Sequence, residues 1–134
     1  MRVAILSVNQ KSLCQAHSIL DTEPNSLITL YSEDAEAGFT ENPPEPIVLN
    51  EILGSISSEW YGFIPDSVDR VNPSSTSSSW LIKSLAIRLA ERGVNFLLHT
   101  RIIDIDEENQ EISFRGGGAI ASGTQKYDEL YDFQ

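Results

Sequence analysis

Apolar and polar positions along the first thirty residues follow two successive rhythms. Arg2 to Ser7 is a short apolar run with β-branched Val3 and Ile5, which predicts a buried strand. From Ser12 to Leu20 the apolar residues Leu13, Ala16, Ile19 and Leu20 recur at helical spacing, and Asp21-Thr22-Glu23-Pro24-Asn25 ends that helix. A second buried strand is predicted at Leu27 to Tyr31. Strand, helix and strand within about thirty residues make a βαβ unit, for which a right-handed crossover and parallel pairing are the default.

Between Ser32 and Ser79 the pattern dissolves, broken by Pro43, Pro44, Pro46, Pro65 and Pro73. Within it stand a short helix around Ile47 to Ile56 and an aromatic cluster at Trp60, Tyr61 and Phe63. The run Ser74 to Ser79 reads as a flexible linker whose last serine caps the next helix, in preference to a set of phosphoacceptors. Regularity returns at Trp80 to Arg92, where Leu81, Leu85, Ile87, Leu89 and Ala90 form an apolar stripe and Gly93 stands at the C-cap. Val94 to His99 is a third buried strand. Arg101 to Asp106 and Glu111 to Arg115 alternate around Glu107-Glu108-Asn109-Gln110 as a hairpin does. Gly116-Gly117-Gly118 marks a reversal, Ala119 to Ser122 a short third meander strand, and Lys126 to Phe133 the last strand. The pattern predicts an α/β chain: a parallel sheet of about four strands, flanking helices and a small antiparallel β-meander.

Composition narrows the picture. The 134 residues suit one domain with an irregular insertion at about 39–79, and the net charge of −11 opposes a nucleic-acid or anionic-membrane surface. Solubility is the plain account of that acidity. Cys14 is the only cysteine, which excludes an internal disulfide and a cysteine-built zinc site and suits the cytoplasm. No apolar run approaches the ~20 residues of a spanning helix, and Met1 to Val8 is too short for a signal peptide. Only Lys11, Lys83 and Lys126 are lysines, so the place of each matters.

Val3 to Leu13 is where a strand hands over to a helix inside a βαβ unit, the context that a dinucleotide fingerprint requires. The G-x-G-x-x-G spacing falls on Ser7, Asn9 and Ser12, with every glycine replaced. The layout resembles the FAD/NAD(P)-binding Rossmann family of glutathione-reductase-like, flavin-dependent oxidoreductases. Leu30-Tyr31-Ser32-Glu33 resembles the end of that family's second strand, and Ala35-Glu36-Ala37-Gly38 its following loop. Leu85 to Val94 resembles the helix leading to its third strand. Thr100 to Ile105 resembles the opening of its meander, and Tyr127 to Leu130 the strand after it. The similarity covers about two-thirds of the chain and leaves Phe39 to Ser79 unmatched. It implies a Rossmann-like parallel sheet, FAD as cofactor with NAD(P) second, and descent from flavin-dependent oxidoreductases.

In that family the first glycine makes the tight turn, the second admits the pyrophosphate and the third packs helix on strand. Asn9 tolerates left-handed backbone, so the turn is expected to survive, with the Asn9 side chain in space the pyrophosphate would take. Ser12 brings a hydroxyl that needs a compensating hydrogen bond. Lys11 lies beside a helix N-terminus able to attract an anion, although an exposed loop lysine is the plainer reading. The ribose-binding acid of the family falls on Ser32, and Glu33 recovers that role only if the strand has already ended. Phe39 replaces a further family glycine, and the family's Ala-Thr-Gly-like turn would come beyond Gln134. The candidate cofactor-binding residues are thus Ser7, Asn9, Lys11, Ser12 and Glu33, with no catalytic residue.

Other groupings say less. Cys14 and His17 share one face of the first helix and read as packing residues, with His99 supplying no third metal ligand. Asp104, Asp106, Glu107, Glu108 and Glu111 read as a solvated hairpin tip, because the glycine and spacing of a calcium loop are missing. Gly116-Gly117-Gly118 is a hairpin loop with no phosphate-loop helix behind it. No Ser-His-Asp set can be assembled. The expectation is a degenerate, non-catalytic binding or interaction subunit, working with a protein partner or as a homo-oligomer. Its alternative is the cofactor module of a split FAD-dependent oxidoreductase, in which Trp60, Tyr61, Phe63 and Trp80 stack on a ring or meet the partner chain. An acidic adaptor without nucleotide is the third reading. Neither nucleic acid, membrane nor metal is expected as a partner.

Overall fold

A computed structural model describes residues 1–33, 44–116 and 122–133. β1 (Arg2–Leu6) is buried from Val3 onward, and α1 (Gln10–Thr22) leads from it to β2 (Leu27–Tyr31), which pairs with it in parallel. α3 (Ser75–Glu91) feeds β3 (Asn95–Leu97), parallel to β2, and β7 (Glu129–Asp132) lies parallel to β1 on its other side. The result is a four-stranded parallel sheet in the order β3-β2-β1-β7. β4 (Thr100–Asp106), β5 (Glu111–Gly116) and β6 (Gly123–Lys126) form a separate three-stranded antiparallel meander.

Alternation along the strands sorts the core into two compartments. Val3, Ile5, Ile28 and Leu30 pack with Leu13, Ala16, Leu81, Leu85 and Leu89 of α1 and α3. Ala4, Leu6 and Tyr31 project the other way and pack with Ile112 and Tyr127, joined by Ile102, Ile105 and Phe114. The sheet is therefore buried on both faces, which is why its strands read as continuous apolar runs. Tyr31 reaches through to the meander and donates its hydroxyl hydrogen to Gln125 at 2.5 Å, and burial pushes its phenol up to about 12.

Several boundaries differ from the sequence reading. α1 begins at Gln10, two residues early, because Asn9 caps it. The serine run is no linker: Ser74 is the N-cap, accepting from the Ser77 amide at 3.2 Å, and Ser75–Ser79 form the opening turns of α3. Ser77 is buried there and donates to the Asp69 carbonyl at 2.6 Å, which satisfies its hydroxyl inside the fold. Ala119 to Ala121 lie outside the described residues, and the third meander strand is Gly123–Lys126, with Lys126 opposite Glu111, so β7 starts later than expected.

The stretch before α3 holds the short helix α2 (Leu49–Leu53) and a single 3₁₀ turn at Ser58–Trp60. Ile47, Ile52, Ile56, Trp60, Tyr61, Ile64 and Val68 pack onto the helical compartment. Among the described residues no helix is long and apolar enough to cross a membrane.

Candidate functional site

The turn from β1 into α1 keeps its bend without glycine. Ser7 takes the left-handed conformation, φ 80°, and its amide donates to the Tyr31 carbonyl at 2.8 Å. Asn9, expected to tolerate that conformation, is instead extended at φ −146°, because it serves as the helix cap. Its Oδ1 accepts from the Ser12 amide at 2.9 Å, while the Asn9 amide donates to Ser12 Oγ at 2.8 Å. This is a reciprocal capping box with serine in the place of the usual glutamate or glutamine. Ser12 Oγ also donates to the Asn9 carbonyl at 3.0 Å, the compensating bond that a buried hydroxyl at this packing position requires. Asn9 Nδ2 then reaches the Phe133 carbonyl at 3.1 Å, just past β7.

Above this turn lies a cleft of about 400 Å³, lined by Asn9, Lys11, Pro44, Glu45, Ile47 and Phe133 among others. Lys11 is exposed at its rim, and Glu45 sets a carboxylate on the same cleft. Ser7, Asn9, Lys11 and Ser12 are thus brought together. Glu33 is not among them: β2 ends at Tyr31, and Glu33 lies beyond it in a second cleft, 4.0 Å from Arg101. Ser32 is buried, donating its amide to the Leu97 carbonyl at 3.0 Å and accepting from the Thr100 amide at 2.7 Å. Phe39 and the loop Ala35 to Gly38 lie outside the described residues.

A polar cluster that sequence reasoning missed joins the helices. His17 is wholly buried, with Nε2 3.0 Å from the Leu85 carbonyl and Nδ1 3.0 Å from Arg92 Nη1. A carbonyl can only accept and a guanidinium can only donate, so the imidazole is neutral and carries its proton on Nε2. Burial, with help from the Arg92 charge, lowers its pKa to about 4. Arg92 also bridges to Asp21 at 2.8 Å, and Trp60 donates its indole N–H to the same carboxylate at 2.9 Å. Burial pushes the Asp21 pKa up, but those bonds hold it below the usual carboxylate value. Trp60 lies flat on His17, ring centroids 5.3 Å apart. Only the helical spacing of His17 and Asp21 hinted at this arrangement. Cys14 is partly buried with its thiol pKa raised by burial, and no group of His, Cys, Asp and Glu among the described residues is placed to hold a metal.

The aromatic candidates have mostly found partners inside the fold. Trp60 is on His17, and Tyr61 meets Trp80 edge-on at 6.2 Å, while Phe63 is 84% exposed. At the hairpin tip Asp106 accepts from the Asn109 amide at 3.1 Å and from its side chain at 2.8 Å, giving that carboxylate a turn-closing role.

No protein-family model matches the chain, and no curated protein does. Solved structures do. The flavin-dependent halogenase CmlS superposes with a TM-score of 0.65 at 15% identity, over 96% of this chain and 28% of that one. BexE, studied for oxidation during BE-7585A biosynthesis, gives 0.68 at 10% identity over 98% and 31%. The water-forming NADH oxidase of Lactobacillus brevis, bound to NADH, gives 0.58 at 16% identity over 98% and 24%. The chain thus spans only a quarter to a third of the length of these three. Across nearly all of its own length, it shares a Rossmann-like fold with these flavin- and nicotinamide-linked proteins.

Proposed function

We propose that this chain is a non-catalytic, single-domain member of that fold, a binding or interaction subunit whose dinucleotide turn has become a self-sealed helix cap. The observation that carries the reading is the Asn9–Ser12 capping box. FAD, the cofactor the fold implies, places its pyrophosphate against free amides at this helix N-terminus. Here the Ser12 amide is already bonded to the Asn9 carboxamide, and that carboxamide is pinned from its other end to Phe133. A pyrophosphate would have to displace both bonds and enter beside Glu45, in a chain of net charge −11. The turn residues therefore do not fit the group, and Lys11 is their sole cationic side chain.

Purified protein titrated with FAD, NAD and NADP is expected to show no saturable change in the visible spectrum and no rise in Tm. A ligand at about 100 times its Kd would add about 2.7 kcal/mol, which a thermal melt resolves easily. Saturable FAD binding that is lost in Lys11→Glu overturns the reading.

A second reading has its own support. The chain corresponds to about a quarter of its larger neighbours, and the cleft of about 400 Å³ beside Lys11 is open, as suits a module of a split FAD-dependent oxidoreductase completed by a partner chain. Coexpression pull-down followed by the visible spectrum of any complex separates the two: a yellow complex supports the split enzyme, a colourless one the interaction subunit.

A further inference from the structure

Along the carboxyl edge of the parallel sheet a second cleft of about 290 Å³ opens between the end of β2 and the start of the meander. Glu33, His99, Thr100, Arg101, Arg115 and Gly116 line it. Its two guanidinium groups are there by strand register: Arg101 on β4 stands directly opposite Arg115 on β5, next to the pair Thr100 and Gly116. Residues directly opposite in an antiparallel pair send their side chains to the same face, and like charges so placed repel. Both arginines are exposed, so water screens that repulsion; what the register supplies is two guanidinium groups side by side at the mouth of the cleft. Glu33 approaches Arg101 at 4.0 Å, but both side chains are mostly exposed, so water screens the contact. Arg115 makes no ion pair among the described residues.

Two arginines and one glutamate leave this cleft with a local charge of +1 in a chain whose net charge is −11. Gly116 contributes no side chain opposite Thr100, whose own hydroxyl is turned away to the Leu98 carbonyl at 3.0 Å. His99, at the rim, holds a left-handed backbone at φ 52°, a conformation that non-glycine residues adopt at some energetic expense and that concentrates at ligand sites. The meander is thus electrically polarised, with acidic residues around the Asp106–Glu111 turn and its cationic pair at the other end.

We propose that this cleft binds a small organic dianion, a phosphate monoester or a dicarboxylate, between the guanidinium forks of Arg101 and Arg115. Each fork offers paired N–H donors matched to two oxygens of a phosphate or carboxylate, and the bound dianion removes the repulsion between the arginines. Glu33 competes with the ligand for Arg101. The inference stands whether or not the α1 turn takes a dinucleotide.

The test is an amide-resolved NMR titration of the whole chain with inorganic phosphate and with succinate, against sodium chloride at matched ionic strength. Saturable shifts at His99, Thr100, Arg101 and Gly116 are expected with at least one of the two anions, at a Kd of about 1 mM or tighter. Saturation by phosphate alone identifies the monoester class, and by succinate alone the dicarboxylate. Arg101→Gln and Arg115→Gln should each weaken binding about tenfold, Arg115→Lys less, and Glu33→Gln should tighten it, while Lys11→Gln leaves it unchanged. Arg115→Gln should melt close to the wild-type temperature, since both arginines are exposed and their repulsion is screened. The proposal is overturned if sodium chloride reproduces the shifts, if Arg115→Gln binds like wild type, or if that variant melts well below wild type, which would make the pair structural.

Discussion

The two faces of the parallel sheet are closed by different kinds of polar contact. On the helical face, His17 is held by Leu85, Arg92 and Trp60 together, with Asp21 behind them. On the meander face, Tyr31 and Gln125 share a single hydrogen bond that crosses between the sheets. Removing a wholly buried ring with several partners takes its packing and each of those bonds with it, whereas a lone bond takes only its own small net contribution. The helical face should therefore be the stiffer and the less forgiving.

His17→Ala is the strongest way to break that contrast. It removes a buried ring, takes the side-chain partner from the Leu85 carbonyl and opens a gap beneath Trp60, and should lower unfolding free energy in urea by about 3 kcal/mol. Acid offers a milder test on the same face. With a folded pKa near 4 against 6.5 for the free side chain, His17 stays neutral in the native state while the unfolded chain takes up a proton. The unfolded state then binds more protons, so stability present above pH 6.5 should fall by about 2–3 kcal/mol as the pH drops toward 4. His17→Gln should flatten that slope, and a slope unchanged in the variant would refute the assignment.

Asn9→Ala, which opens the cap between the two faces, should cost about 1 kcal/mol in the same urea assay. Tyr31→Phe should cost least, about 0.5 kcal/mol at neutral pH. Its signature lies in alkali instead. A phenol raised from 10 to about 12 stays protonated in the native state while the unfolded chain loses its proton, so wild-type stability should decline between those values. Tyr31→Phe should remove that part of the decline. Comparable losses for His17→Ala and Tyr31→Phe would erase the difference between the faces.

Much of this architecture was legible from local pattern. The βαβ unit, the helix before Gly93 and the hairpin around residues 107–110 all rest on signals carried within each segment, and all three form. The opening turns of α3 were not legible, because serine has no strong helical preference and the deciding bond, from Ser77 to the Asp69 carbonyl, belongs to the tertiary fold. The α1 cap was half legible. Asn9 and Ser12 have the spacing of a capping box, but serine stands at the position that glutamate or glutamine usually fills, so the motif is weak in sequence. His17 lies 68 residues from Leu85 and 75 from Arg92, a distance across which no periodicity speaks. The same holds for Glu33, whose separation from the α1 turn follows from where β2 stops and not from its place in the chain.

The bond from Asn9 to Phe133 spans 124 residues. Closing a loop of that size carries an entropic penalty and needs β7 beside β1, so the second half of the α1 cap is expected to form late in folding. A contact absent from the transition state governs escape from the native state and not entry to it. The Asn9 side chain is in this sense a latch: Asn9→Ala is expected to quicken unfolding, measured after a jump into urea, more than it slows refolding.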